Sequence, residues 1–228
     1  MRTRHLLTAG VVAGPIFVTV VALQLATRDG FDLTHHPISL LTLGDAGWVQ
    51  VANFVVAGVL SGAFAVGLSR VLVSGPGHVW APRLLAVYGV GLVVGGLFRP
   101  DPALGYPVGT PDEVPDSISW HGWLHAVAPP LAFTALVAAA VVLARRDRIL
   151  GRRGWARYSA FTAAAALVVT AWPHPDSLSW RLAIGVVVGF AWLTALALRE
   201  LAATPNAPAD PDAGPEPDTI RGSGIRSR

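Results

Sequence analysis

The sequence predicts an all-α, polytopic membrane protein built as a bundle of six transmembrane helices. Six apolar segments follow one another along the chain, at 6–27, 48–68, 83–98, 123–144, 157–172 and 181–198. Each is close to the length of about 20 residues that a helix needs to cross a bilayer. Because lipid offers no hydrogen-bond partner to a bare backbone, we expect each segment to be helical.

The composition supports membrane insertion and excludes several kinds of site. Of the 228 residues, 53% are hydrophobic and 14% are charged, with a mean hydropathy of +0.52. Soluble domains usually carry about 25% charged residues. The absence of cysteine excludes disulfides, zinc–thiolate centres and thiol nucleophiles.

The positions of the basic residues predict the orientation. All 17 are arginines, and 14 of them fall at the N-terminus, on alternate connections and in the C-terminal segment. The other connections hold only Arg28, Arg99 and Arg181. The positive-inside rule therefore predicts both termini in the cytoplasm and a location in the plasma (cytoplasmic) membrane. The pI near 10.2 could suggest nucleic acid. The arginine-rich connection at 145–157 instead favours contact with anionic lipid, and we expect no nucleic-acid partner.

The expected domain organisation is a transmembrane domain at 1–201 followed by a disordered cytoplasmic tail at 202–228, which is rich in Pro, Ala, Asp and Gly. Small residues that let helix backbones approach closely recur four residues apart. They are Gly10 and Gly14, Gly58 and Gly62, Gly91 and Gly95, and Gly185 and Gly189. We also expect Gln24 and Asn53 to bridge the first two helices. The interiors of the predicted spans hold no Asp, Glu, Lys or Arg, which disfavours an ion-coupled transporter.

Histidines and acids concentrate on the predicted outer side. Five of the seven histidines fall there: His35, His36, His121, His125 and His174. The segment between Phe98 and Ile118 is the longest connection within the bundle and is rich in Pro and Gly. Connections of this length are often functional.

His121 and His125 are four residues apart at the start of the fourth helix, which places both imidazoles on one helical face. Zinc ligands in H-E-x-x-H have this spacing, but the residues between the two histidines here are G-W-L, without the glutamate. Pro129 and Pro130 remove two helical donors and leave the carbonyls of His125 and Ala126 without their usual partners. This helix entry could coordinate a ligand or a metal. The alternative is that the histidines contact headgroups, water and neighbouring loops.

Two nearly identical hexapeptides precede helices 4 and 6: P-D-S-I-S-W at 115–120 and P-D-S-L-S-W at 175–180. They could mark a duplicated hairpin. We favour convergent helix entry, in which Asp or Ser caps the helix and Trp lies at the membrane interface.

Several motifs resemble the bacterial DUF998 family of six-helix membrane proteins. They are H-H-P-I-S-L-L-T-L-G-D-A-G-W after the first segment, Asn53-Phe54, the G-L-F-R-P-D-P exit of the third segment, and W-H-G-W-L-H at the fourth. Arg99 departs from the pattern, because it interrupts the Phe-Pro step of the family motif. The resemblance covers roughly residues 5–200 and implies topology rather than an activity.

The sequence thus predicts a multi-pass membrane protein that binds or senses a ligand or lipid at its outer face. The alternative is a membrane-embedded, possibly metal-dependent hydrolase or transferase that acts on lipid at the outer leaflet. Candidate ligand-binding residues are His35, His36, Ser39 and His174. Candidate catalytic residues are His121, His125, Asp101 and Asp116, and the first two are also candidate metal ligands. Of these, Ser39, Asp101, His121 and His125 should converge if helices 1 to 4 are neighbours. The sequence requires no cofactor. The expected partners are the bilayer and a small-molecule or lipid ligand, with the oligomeric state left open.

Overall fold

The computed structural model of the protein describes residues 3–173 and 177–205. Within these ranges it contains six α-helices and a short 3-10 helix, Ile38–Thr42. The α-helices are α1 (Thr3–Thr27), α2 (Gly47–Val71), α3 (Trp80–Leu97), α4 (Trp120–Ile149), α5 (Arg153–Ala171) and α6 (Leu178–Ala203). The predicted all-α fold is confirmed. The predicted tail from residue 206 onward lies outside the described residues.

Five of the six helices in the described chain are long and apolar enough to cross a membrane: α1, α2, α3, α4 and α6. Helix α5 is not among them. It carries Arg153 and Arg157 in its first turns, which lowers its hydropathy. The apolar helices nevertheless make this a multi-pass membrane protein.

The helices form a closed ring in chain order. Each one packs against the next, and α6 returns to pack against α1. Helices α1 to α4 are therefore neighbours, as expected. Aromatic side chains from several helices meet inside the ring. Phe17 lies 5.2 Å from Phe54 and 5.1 Å from Phe190 between ring centroids, and Phe190 lies 5.9 Å from Tyr88.

Glycines allow close contact at most of the predicted positions. A Cβ atom on Gly58 would lie 2.5 Å from the carbonyl oxygen of Gly89, and one on Gly91 would lie 2.8 Å from the Cβ of Ala132. Gly62 and Gly95 are less constrained. A Cβ on Gly62 would meet nothing within 4 Å, and one on Gly95 would lie 3.9 Å from Ala128. The close approach of α2, α3 and α4 therefore depends on some of these glycines and not on others.

The predicted bridge between the first two helices is present. Gln24 donates to the side-chain oxygen of Gln50 at 2.6 Å, and Asn53 donates to the carbonyl oxygen of Phe17 at 3.1 Å. All three side chains that form this network are buried. They join α1 and α2 within the apolar core.

Charged residues are less peripheral than the sequence analysis assumed. Because α4 and α6 run beyond the predicted segments, they include Asp147, Arg199 and Glu200. Asp147 is fully buried and accepts a hydrogen bond from Arg199 at 2.6 Å, while Arg199 also donates to Glu200 at 2.7 Å. The guanidinium of Arg199 lies 4.8 Å from the ring centroid of Trp155. These three residues lie outside the predicted segments, and the cluster that they form joins the ends of α4 and α6.

Candidate ligand site

The connections 28–46 and 98–119 lie at one end of the bundle with the end of α5 and the start of α6, and we call this the loop end. Arg28 ties the two connections together. Its Nε donates to the hydroxyl oxygen of Tyr106 at 3.0 Å, and its Nη2 donates to the carbonyl oxygens of Leu41 and Leu43. Tyr106 is buried with Leu40 and Leu43 in a small apolar cluster. The loop end is therefore a packed cap over the helices.

His36 has a structural position in this cap. Its Nδ1 accepts from the backbone N–H of Asp32 at 2.9 Å, and its Nε2 lies 2.7 Å from the carbonyl oxygen of Leu104. Since a carbonyl can only accept, Nε2 carries the proton. The residue is 5% exposed, and both ring nitrogens are occupied. His36 joins the connections 28–46 and 98–119, and it has no ring nitrogen left for a ligand.

His35 lies at the surface of the cap. Its Nε2 is 3.0 Å from the carboxylate of Asp112, and both side chains are largely exposed. Its carbonyl oxygen accepts from the hydroxyl of Ser179 at 2.7 Å, which fastens the start of α6 to the cap.

The paired histidines of α4 close the end of α3. The Nδ1 atom of His125 lies 3.0 Å from the carbonyl oxygen of Gly95 and 2.9 Å from that of Phe98. The Nδ1 atom of His121 lies 3.0 Å from the carbonyl oxygen of Arg99. The last carbonyls of a helix have no partner within it, so donors from a neighbouring helix satisfy them. The spacing of four residues thus lets one face of α4 cap the exit of α3.

Asp101 and His121 meet at Ser119 rather than at His125. The carboxylate of Asp101 accepts from the backbone N–H of Ser119 at 2.9 Å, and the Ser119 hydroxyl lies 3.0 Å from the ring of His121. Hydrogen bonds from Ser119, chiefly from its side chain, hold the pKa of Asp101 below its usual value of 3.8. A Cβ on Gly122 would lie 2.2 Å from the Asp101 carboxylate. Only glycine lets this carboxylate approach the first turn of α4.

The predicted capping of α4 is confirmed for Ser119, whose side chain accepts from the N–H of Gly122 at 3.1 Å. Asp116 is exposed and borders a shallow surface depression with Glu113 and neighbouring prolines. At α6 the expectation that a serine caps the helix was wrong, because the side chain of Ser177 makes no cap hydrogen bond and instead accepts from the Nε of Arg181 at 2.9 Å. Arg181 also donates to the carbonyl oxygens of Val169 and Trp172, so it closes the end of α5 as His125 closes that of α3.

A cavity of about 530 Å³ lies under the cap, between α4, α5 and α6. Its polar lining residues are Ser39, His125, Thr134 and Thr170. The remaining wall is apolar and consists of Pro37, Ala126, Pro129, Pro130, Phe133, Val137, Leu167, Ala171, Leu178 and Leu182. A narrower extension of about 80 Å³ continues between the helices toward Tyr88 and Phe54, and it too is bordered by Ser39 and His125.

His125 contributes an oriented imidazole to the lining of this cavity. Its Nδ1 is committed to the two α3 carbonyls, so Nε2 is the unprotonated nitrogen of the neutral ring and can accept a hydrogen bond. No hydrogen bond from a described residue reaches Nε2. The cavity lining therefore combines a fixed imidazole, a serine and a largely apolar wall.

The structure divides the predicted site residues into separate groups. Ser39 and His125 share the cavity, whereas Asp101 and His121 lie together beside Ser119 outside the cavity lining. His35, His36 and Asp116 belong to the cap and its surface. His174 lies outside the described residues. Across residues 3–173 and 177–205, no three His, Asp or Glu side chains are grouped in a way that could hold a metal ion.

Comparison with known families places the chain. A family model described as a protein of unknown function, DUF998, matches residues 11–199. The chain belongs to the DUF998 family. Most of the bundle is thus the DUF998 region, including α2 to α5, the cap and the cavity. No curated protein and no solved structure matches this DUF998 chain.

Sequence reasoning missed the part of the cavity wall that α5 and α6 supply. Thr170 on α5 is one of the few polar residues inside the apolar segments, and this was the available signal. Leu167 and Leu182 carry no such signal, because leucine is common on every face of a membrane helix.

Proposed function

We propose that this DUF998 protein binds an apolar, hydroxyl-bearing molecule, such as a long-chain alcohol or an acylglycerol, in the cavity between α4, α5 and α6. The observation that carries the proposal is that His125, whose Nδ1 is committed to the α3 carbonyls and whose Nε2 is left as an acceptor, lines a largely apolar cavity. An acceptor selects a ligand that brings a donor, and a hydroxyl supplies one without adding charge. Ser39 offers a second polar contact on the same wall.

The size and lining of the cavity support this class of ligand. Ligand pockets usually enclose about 300–1,000 Å³ and combine apolar walls with a few convergent polar groups. The cavity of about 530 Å³ lies within that range. Helix α5 packs more loosely against α6 than α4 does against α3. We therefore expect the ligand to enter the cavity from the membrane between α5 and α6.

We further propose that the loop end faces the outside of a plasma (cytoplasmic) membrane. The distribution of 14 arginines against three supports this orientation, which places both termini in the cytoplasm. Reporter fusions to the C-terminus should be active in the cytoplasm. An extracytoplasmic signal from the same fusions would reverse the orientation.

The experiment for the binding proposal fills the cavity. Thr134 is exposed to the cavity, and no hydrogen bond of its hydroxyl to a described residue would be lost on substitution. Thr134→Phe should reduce the affinity of the purified protein for tritiated hexadecanol by tenfold or more. The phenyl ring would fill part of the cavity, and the ligand would lose the burial of about two methylene groups. Val66→Phe, at an exposed position of α2 away from the cavity, is the matched control. Equal hexadecanol binding by both variants would exclude the cavity as the binding site.

A hydrolase or transferase that acts on a lipid ester is the second candidate function. Ser39 and His125 line the same cavity, and the imidazole is oriented through Nδ1 with Nε2 available as a base. Covalent catalysis requires a nucleophile within hydrogen-bond reach of an oriented base, and these two residues are of the required types. Release of fatty acid from an acylglycerol by the wild-type protein, but not by Ser39→Ala, would establish it. No release by the wild type would leave the cavity as a binding site.

A further inference from the structure

Four arginines line a groove at the opposite end of the bundle, between the last turns of α4 and the first turns of α5. The groove has a volume of about 680 Å³. Its walls are Arg145 and Arg148 on α4 and Arg153 and Arg157 on α5. Its remaining lining consists of Ala144, Ala156 and Ala160, whose small side chains leave room between the guanidinium groups. We call this the arginine groove.

The charges of the groove are not balanced by the described part of the protein. The nearby acids Asp147 and Glu200 pair with Arg199, and Asp147 also lies 3.6 Å from Arg152. None of the four groove arginines forms an ion pair with a residue in the described ranges. Arg146, on the same helix, is directed elsewhere, to the carbonyl oxygens of Ser74 and Pro76.

The local helix geometry increases this imbalance. Arg153 and Arg157 occupy the first turns of α5, where the helix dipole already contributes positive charge. This first turn contains no acidic residue, and no side chain caps the helix start. Like charges that converge at a helix N-terminus favour an anion in the space between them.

The groove adjoins apolar surface that would lie in the hydrocarbon layer. Val141 is about one turn further into α4 than Arg145, and Phe161 is about one turn further into α5 than Arg157. Val141 is 52% exposed and Phe161 is 70% exposed. Trp155 and Tyr158, at the same end of α5, pack together with ring centroids 5.9 Å apart, a pair typical of the interface between headgroups and acyl chains. A ligand with both an anionic head and an apolar tail matches this surface.

We propose that the arginine groove binds the phosphate of an anionic phospholipid, whose acyl chains lie along Val141 and Phe161. Phosphate is the anion that several converging guanidinium groups recognise best, because each guanidinium can donate two parallel hydrogen bonds to it. The apolar surface beyond the arginines distinguishes a lipid from free phosphate. This site is separate from the loop-end cavity and does not depend on the function proposed for it.

The test measures lipid selectivity directly. The full-length protein in neutral detergent is titrated with dioleoyl phosphatidylglycerol or dioleoyl phosphatidylcholine, and bound lipid is counted by native mass spectrometry. The wild type should prefer phosphatidylglycerol. One juxtamembrane arginine contributes about fivefold to anionic lipid binding, so Arg145→Gln with Arg148→Gln, or Arg153→Gln with Arg157→Gln, should each reduce the preference about twenty-fivefold. The control is Arg70→Gln with Arg83→Gln, which removes two arginines from the same end of the bundle but outside the groove. It should lower the preference clearly less than either groove variant, because these two arginines attract lipid only through the general charge of that end.

Several outcomes would overturn the proposal. One is a wild-type protein that binds the two lipids equally, and another is a control that loses as much selectivity as the groove variants. Displacement of phosphatidylglycerol by equimolar glycerol 3-phosphate would indicate a site for a soluble phosphate. The segment 206–228 contains Asp210, Asp212, Glu216 and Asp218. If the full chain shows no preference for phosphatidylglycerol but a protein of residues 1–205 does, the arginine groove binds acids of this segment instead of the lipid.

Discussion

The Nδ1 atom of His125 lies 2.9 Å from the carbonyl oxygen of Phe98, so a histidine of α4 closes the exit of α3. This hydrogen bond links the fold to the proposed function. It satisfies a helix carbonyl, and by fixing the proton on Nδ1 it leaves Nε2 as an acceptor in the cavity. One residue thus stabilises the bundle and defines the polar group of the site.

Removal of His125 should destabilise the protein more than removal of His121. His125→Ala leaves the buried carbonyl of Gly95 and the part-buried carbonyl of Phe98 without their donor, at a cost of about 1–3 kcal/mol. His121 is only partly buried, so water can replace it at the carbonyl of Arg99. Thermal unfolding of both alanine variants in the same detergent compares the two. Equal melting temperatures would mean that the carbonyl cap of His125 contributes no more than a surface contact.

Asp101 should make the stability of the loop end dependent on acidic pH. Its pKa in the folded protein is lower than its usual 3.8, so the folded state binds fewer protons than the unfolded state near that pH. The stabilisation is complete above the unfolded pKa and is lost as the pH falls through the folded pKa. From about pH 5 to about pH 3 the melting temperature of the wild type should therefore fall more than that of Asp101→Asn. Parallel curves for the two proteins would show that the hydrogen bonds of Asp101 contribute nothing to this dependence.

Two glycines four residues apart on α3 should differ in their tolerance of a methyl group. Gly91→Ala places a Cβ 2.8 Å from that of Ala132 and should cost about 1–3 kcal/mol through overpacking of α3 against α4. Gly95→Ala places its Cβ at an ordinary contact distance of 3.9 Å and should be close to neutral. Gly62→Ala, where nothing lies within 4 Å of the new atom, is the reference. Detergent melting curves measure all three. If Gly91→Ala melts at the same temperature as Gly62→Ala, the close contact between α3 and α4 does not depend on Gly91.

The buried ion cluster should be sensitive to the loss of its central acid. Asp147→Asn leaves the Arg199 guanidinium, whose side chain is 11% exposed, without one of its two carboxylate partners. Breaking a buried pair from one side costs about 3 kcal/mol or more. Arg152→Gln removes a partner that is 51% exposed and 3.6 Å away, so its effect should stay within about 1 kcal/mol. Unfolding free energies of the two variants that agree with each other would show that burial does not strengthen the pair of Arg199 and Asp147.

The sequence predicted the helices well because the length of each apolar segment can be counted from the sequence alone. It placed Asp147 and Arg199 in connections, because hydropathy falls at a charged residue even where the helix continues and pairs that charge internally. It also grouped His121 with His125 by their shared helical face. The structure separates them by depth: His125 reaches the cavity, while His121 lies beside Ser119. Which ring nitrogen faces the cavity depends on the carbonyls of α3, and no pattern within α4 encodes their position.

The measurement that tests the proposed site most directly compares two similar ligands, of which only one carries a hydrogen-bond donor. Hexadecanol and hexadecyl methyl ether are titrated against the wild-type protein, and their dissociation constants are determined under identical conditions. If Nε2 of His125 accepts a hydrogen bond from the ligand, the alcohol should bind roughly fivefold more tightly, the value of about 1 kcal/mol for one such bond. His125→Asn, which changes the acceptor, should reduce this difference. Equal affinity of the alcohol and the ether for the wild type would contradict the account.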